Sequence, residues 1–138
     1  MEIDTLNIKT LNIRDKRVAN TSLFPYDLPH LIKKLKESPG WNNGELAASI
    51  LLKSPDKQIV LTVLHDDTKI KSFQPGDSIT FQLIEGKMKF HSQEKTIILE
   101  SGQIMTLYNK IKFCLTTHAE ESAFLLTINT GSSEPDGN

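Results

Sequence analysis

The apolar positions of this chain keep two different rhythms. In "DLPHLIKKLKESPG", Leu28, Leu31, Ile32 and Leu35 fall at i, i+3, i+4 and i+7, which draws one apolar stripe along a helix. Asp27 is placed to cap it, Pro29 fits its first turn, and Ser38-Pro39-Gly40 stops it, so a helix is expected over 27–38. Lys33, Lys34 and Lys36 then form its solvated side. From residue 44 onward the rhythm shortens to short strands. "ELAASILLK", "QIVLTVLH", "DSITFQLIEG", "KMKFH", "KTIILE", "QIMTLY", "IKFCLTTH" and "SAFLLTI" read as strands parted by turn-forming stretches such as "SPDK", "HDDT", "QPGD" and "ESGQ". Seven or eight strands with no helix between them predict a sandwich or barrel over 44–129.

Alternation within a strand assigns faces. In "DSITFQL", Ile79, Phe81 and Leu83 share one side and Ser78, Thr80 and Gln82 the other. In "KFCLTTH", Phe113, Leu115 and Thr117 oppose Cys114, Thr116 and His118. The first set holds the bulky apolar residues and is expected to face the interior, which puts His118 outside or at a rim. Residues 1–26 carry Ile3, Leu6, Ile8, Leu11 and Ile13 in imperfect alternation, the pattern of an N-terminal arm or strand. The tail 130–138 is polar and rich in Gly, Ser and Pro, and reads as disordered.

Composition narrows the class without naming a function. A length of 138 residues suits one domain with one core. With 16 basic against 17 acidic residues, neither a nucleic-acid nor a membrane surface is expected. The single cysteine excludes an intramolecular disulfide, and no run approaches the roughly 20 apolar residues that span a bilayer. No signal-peptide core is evident at the start, so the expectation is a soluble cytoplasmic protein.

Candidate chemistry is thin. Cys114 and His118 are four residues apart, but on a strand that places their Cα atoms about 13 Å apart, too far for ligand bonds of about 2.0–2.3 Å without bending. Cys114 therefore reads as a packed thiol rather than a ligand or nucleophile. His65 opens "HDD" and forms a ligand cluster with Asp66 and Asp67 or simply a polar turn; His91 reads as a solvated loop residue. The adjacent pairs Asp66-Asp67 and Glu120-Glu121 point to opposite faces and make no acid–base couple. Trp41 and Tyr26 are expected to anchor the helix on the strands.

Strand order and the glycines of "FQLIEG" and "ESGQ", together with "THAEESAFLLTI", resemble the cupin superfamily of small β-barrels over residues 46–128. The resemblance implies a mainly β fold, a cupin-type β-barrel or jelly roll with an N-terminal extension and one short α-helix. It places Gly86 at the end of the first family motif and Gly102 at the start of the second. It also puts Ser72 and Gln74 (or Phe73 and Pro75, by the shorter spacing) at the two histidines, Ile79 at the glutamate and Phe113 at the last histidine. Asp66, Tyr108, Lys110 and Thr117 stand at the remaining motif positions, and His30, His65, His91 and His118 all fall off them. Ile79 and Phe113 offer no donor atoms to a metal, so no cofactor is expected. The implied interior is lined by Ser72, Phe73, Gln74, Ile79, Phe81, Leu83, Met105, Tyr108, Phe113 and Leu115. It suits a small apolar or aromatic ligand held without catalysis, or else a packed barrel serving as a homodimeric interaction module. The alternative is a metalloenzyme using His65, Asp66 and His118.

Overall fold

The computed structural model describes residues 2–7, 25–74, 78–93, 95–107 and 113–129. Among these, two sheets face each other as a jelly roll. The elements are β1 (Glu2–Ile3), β2 (Leu6–Asn7), α1 (Leu28–Leu35), α2 (Pro39–Asn42), β3 (Ala47–Lys53), β4 (Lys57–Leu64), β5 (Lys69–Gln74), β6 (Ser78–Glu85), β7 (Lys87–His91), β8 (Thr96–Glu100), β9 (Ile104–Leu107), β10 (Phe113–Thr117) and β11 (Ser122–Asn129). One sheet runs β1-β5-β10-β7-β8, with β2 also on β5; the other runs β3-β4-β11-β6-β9. No described helix is long and apolar enough to cross a membrane.

Period-two alternation becomes two apolar layers. Ile79, Phe81 and Leu83 on β6, Met88 and Phe90 on β7, Phe113 and Leu115 on β10, and Phe124, Leu126 and Ile128 on β11 fill the space between the sheets. The second layer covers the outside of β3, β4 and β11. There Leu61, Val63 and Ala123 pack under Ile32 of α1 and Trp41 of α2. Strand β4 is thus buried on both faces, Val60 and Leu64 inward and Leu61 and Val63 under the helices.

Three features differ from the sequence expectation. The helix ends at Leu35, and Ser38-Pro39-Gly40 starts a second helix as well as stopping the first. Ser38 Oγ donates to the Leu35 carbonyl (2.8 Å) and accepts from Trp41 N–H (3.4 Å), while Pro39 takes the first-turn position where its missing N–H costs nothing. Lys36 is not solvated: its Nζ lies 3.0 Å from Glu121 and 3.6 Å from Glu85, tying the end of α1 to the strands. Finally, "KIKSFQ" forms β5, a central strand of its sheet. Its register against β10 slips, with Ile70 opposite Leu115 but Phe73 opposite Phe113. Two residues of β10 thus span three of β5, and that bulge breaks the alternation by which a strand is recognised.

At the N-terminus, β1 and β2 both pair in parallel with β5. Lys71 secures it through Glu2 (3.6 Å) and Asp4 (3.5 Å). Residues 8–24 and the tail 130–138 lie outside the described residues. Of the two motif glycines, Gly86 (φ +91) joins β6 to β7, and a Cβ there would sit 2.6 Å from the Glu121 carbonyl oxygen and 2.4 Å from Ser122 Oγ. Gly102 (φ +88) needs only the left-handed backbone, since nothing lies within 4 Å of its would-be Cβ.

Candidate functional site

The interior phase of the strands carries a connected row of aromatic rings. Phe81 stacks on Phe124 (centroids 4.4 Å) and meets the edge of Phe90 (4.9 Å), which contacts Phe113 (5.4 Å). Phe113 sits at the start of β10, 5% exposed, and is one of the residues lining a cleft of about 300 Å³. Lys71, Ser72, His91, Ser92, Gln93 and Cys114 complete its walls. The lining comes from β5, the start of β10, and the end of β7 with the two residues that follow it.

Its polar groups are few and partly uncommitted. His91 Nδ1 lies 2.6 Å from Thr96 Oγ1, and its Nε2 makes no hydrogen bond among the described residues. The Ser72 hydroxyl likewise has none there. Cys114 is half-buried, its Sγ donating to the Lys71 carbonyl at 3.0 Å. The thiol is therefore bound to backbone at the cleft edge rather than packed in the interior. His118, exposed beyond the end of β10, lines a different depression, so Cys114 and His118 do not form a pair.

The ten residues expected to line the interior separate into groups. Ile79, Phe81, Leu83 and Leu115 lie in the apolar core with exposures of 1% or less, and half-buried Met105 packs against it. Ser72 and Phe113 meet at the cleft. Phe73 and Gln74 end β5, where the backbone alone is described, and Tyr108 lies outside the described residues. One interior residue escaped the sequence reading. Thr62 shares the inward phase of Val60 and Leu64, is 1% exposed, and its Oγ1 has no hydrogen-bond partner among the described residues. Its signal was a hydroxyl on the apolar phase of "QIVLTVL".

Among the described residues, no donor set for a transition metal comes together. Ile79 and Phe113 present hydrocarbon, and among the described residues no three His, Cys, Asp or Glu side chains lie close enough to share an ion. His65, Asp66 and His118 are not brought together as ligands. The His65 ring stacks on Trp41 (centroids 3.5 Å, 15° between planes), and its Nε2 is 3.0 Å from the Trp41 carbonyl. A carbonyl only accepts, so Nε2 carries the hydrogen. His65 thus docks α2 on the strands, and Tyr26 supports α1 by donating its hydroxyl to the Leu51 carbonyl.

Two facing, largely antiparallel sheets, linked by the Gly86 turn from β6 to β7 and the Gly102 turn from β8 to β9, make this a cupin-type jelly-roll fold. A double-stranded β-helix protein from Klebsiella pneumoniae is similar at 19% identity and a TM-score of 0.62, over 82% of this chain and 93% of that one. A cupin-2 domain protein from Shewanella frigidimarina is similar at 11% identity and a TM-score of 0.61, over 75% and 93%. A cupin superfamily protein from Desulfitobacterium hafniense gives 11% and 0.57, over 63% and 79%. No protein-family model and no curated protein matches the chain.

Proposed function

We propose that the protein is a non-catalytic, metal-free binding module that holds a small apolar or aromatic molecule in the cleft lined by Phe113, and that it works in the cytoplasm, where its single thiol stays reduced. The observation that carries this reading is the cleft itself, about 300 Å³, with Phe113, continuous with the core rings, in its lining. Ligand sites run from roughly 300 to 1,000 Å³ and combine an apolar lining with a few oriented polar groups, so this one suits a single-ring molecule. Ser72 and His91 supply hydrogen bonds to such a ligand.

A thermal-shift series with benzoate, phenylacetate and cyclohexanecarboxylate tests it. Aromatic acids raise the melting temperature, and Phe113→Leu, which keeps most of the apolar bulk and removes the ring, cancels the rise. A series in which no compound shifts the wild-type transition refutes the reading.

A second reading, self-association, rests on a separate observation. Ile98 on β8 and Ile104 on β9 are 53% and 60% exposed, on the strands that end the two sheets. Exposed apolar residues on unpaired edges favour pairing with another copy. Light scattering at micromolar concentration should give a dimer that Ile98→Lys with Ile104→Lys dissociates; a wild-type monomer removes this reading.

A further inference from the structure

A depression of about 270 Å³ lies on the outer face of the β5-β10-β7 sheet, beside Asp67, Lys69, Lys89, Thr116, Thr117 and His118, and shares no residue with the Phe113 cleft. Its centre is fixed by strand register. Thr116 on β10 stands opposite Lys69 on β5 and opposite Lys89 on β7. With strands about 4.8 Å apart, the two lysines rise about 10 Å from each other on either side of one hydroxyl. His118 follows at the end of the same strand. Lys36 and Lys71 each hold carboxylates, whereas neither Lys69 nor Lys89 makes an ion pair among the described residues. Two unneutralised ammonium groups around a hydroxyl and an imidazole are a set of donors converging on one volume, which an oxyanion satisfies.

The frame beneath is built rather than incidental. Thr68 and Thr117 are 1% and 3% exposed. Thr117 Oγ1 accepts from Thr68 N–H (2.8 Å) and donates to the His65 carbonyl (2.8 Å). Thr68 Oγ1 donates to that same carbonyl (2.8 Å), and Thr117 N–H donates to the Thr68 carbonyl (2.9 Å). This network fixes the start of β5 against the end of β10, and with them Lys69 and His118. Of the two non-glycine residues with left-handed backbone among those described, Asp67 (φ 53) lines the depression and Ala119 (φ 64) follows His118 in the chain. Such conformations concentrate where a site dictates the backbone.

We propose that Lys69, Lys89, Thr116 and His118 form an oxyanion site for a phosphate monoester.

Amide-resolved NMR titrations of the full chain with inorganic phosphate, glycerol 3-phosphate and benzoate test this. The expected result is saturable shifts from the two phosphates at Lys69, Lys89, Thr116, Thr117 and His118, and benzoate shifts confined elsewhere. Lys69→Gln with Lys89→Gln weakens glycerol 3-phosphate about ten-fold or more, each single change acting in the same direction, while Lys33→Gln with Lys34→Gln on α1 leaves it unchanged. The spectra report directly that each variant is folded. Phosphate shifts that never saturate, or equal weakening by the α1 pair, overturn the proposal.

Discussion

Replacing Thr62 by valine should stabilise this protein, against the usual sign of a core substitution. Thr62 sits on the inward phase of β4 between Ala48 of β3 and Phe124 of β11, 1% exposed, and its hydroxyl has no partner among the described residues. An unsatisfied buried hydroxyl costs about 1–3 kcal/mol. Valine keeps the β-branched shape and strand preference while removing that cost. Taking about 1.5 kcal/mol as the gain, the melting temperature can be worked out. Unfolding entropy near 60 °C is about 2.1 cal/mol/K per residue, so 138 residues give about 0.29 kcal/mol/K. The gain is then a rise of about 5 °C. Thr62→Ser keeps the hydroxyl and deletes a methyl group worth about 0.8 kcal/mol, so it should lower the transition by about 3 °C. Calorimetry on the three proteins in one buffer reads both effects. A fall of more than about 3 °C for Thr62→Val would mean that the hydroxyl makes a hydrogen bond after all, and the reasoning would fail.

The remaining predictions concern the turns, the polar frame and the aromatic row. Gly86→Ala should cost about 3 kcal/mol or more in urea unfolding, since the left-handed backbone alone costs about 1–2 kcal/mol and the new Cβ meets the Glu121 carbonyl at 2.6 Å. Gly102→Ala, with the same backbone sign but open space, should cost about 1–2 kcal/mol only. Thr117→Val leaves the Thr68 N–H without its acceptor and should destabilise by about 2–3 kcal/mol, with faster amide exchange at Thr68 as the local signature. Phe113→Ala should cost about 3 kcal/mol, the low end for a buried phenylalanine, because the space it leaves opens into the cleft rather than forming a sealed void.

Local alternation made the interior legible. The assignment of Ile79, Phe81 and Leu83, and of Phe113, Leu115 and Thr117, to the buried side follows from a period of two, and these residues are buried. β5 was hidden because its bulge puts Ile70 and Phe73 three apart, so no alternation remains to be seen. α2 was hidden because Ser-Pro-Gly carries the marks of a stop and a start at once. Thr62 was visible as a polar residue on an apolar phase, but that its hydroxyl is orphaned depends on neighbours from two other strands. The approach of Lys69 to Lys89 across Thr116 depends on register between strands distant in sequence, which no local pattern encodes. The same holds for the docking of His65 on Trp41, which turned a suspected ligand into a packing contact.

The reading of the Phe113 cleft as a ligand site is tested most directly by titrating the full chain, labelled at phenylalanine ring carbons, with benzoate. Saturable shifts of the Phe113 ring, together with Ser72 and His91 amides and absent from Phe113→Leu, are the result the cleft requires. A Phe113 ring that stays unmoved at saturating benzoate, or a response seated elsewhere on the chain, would contradict it.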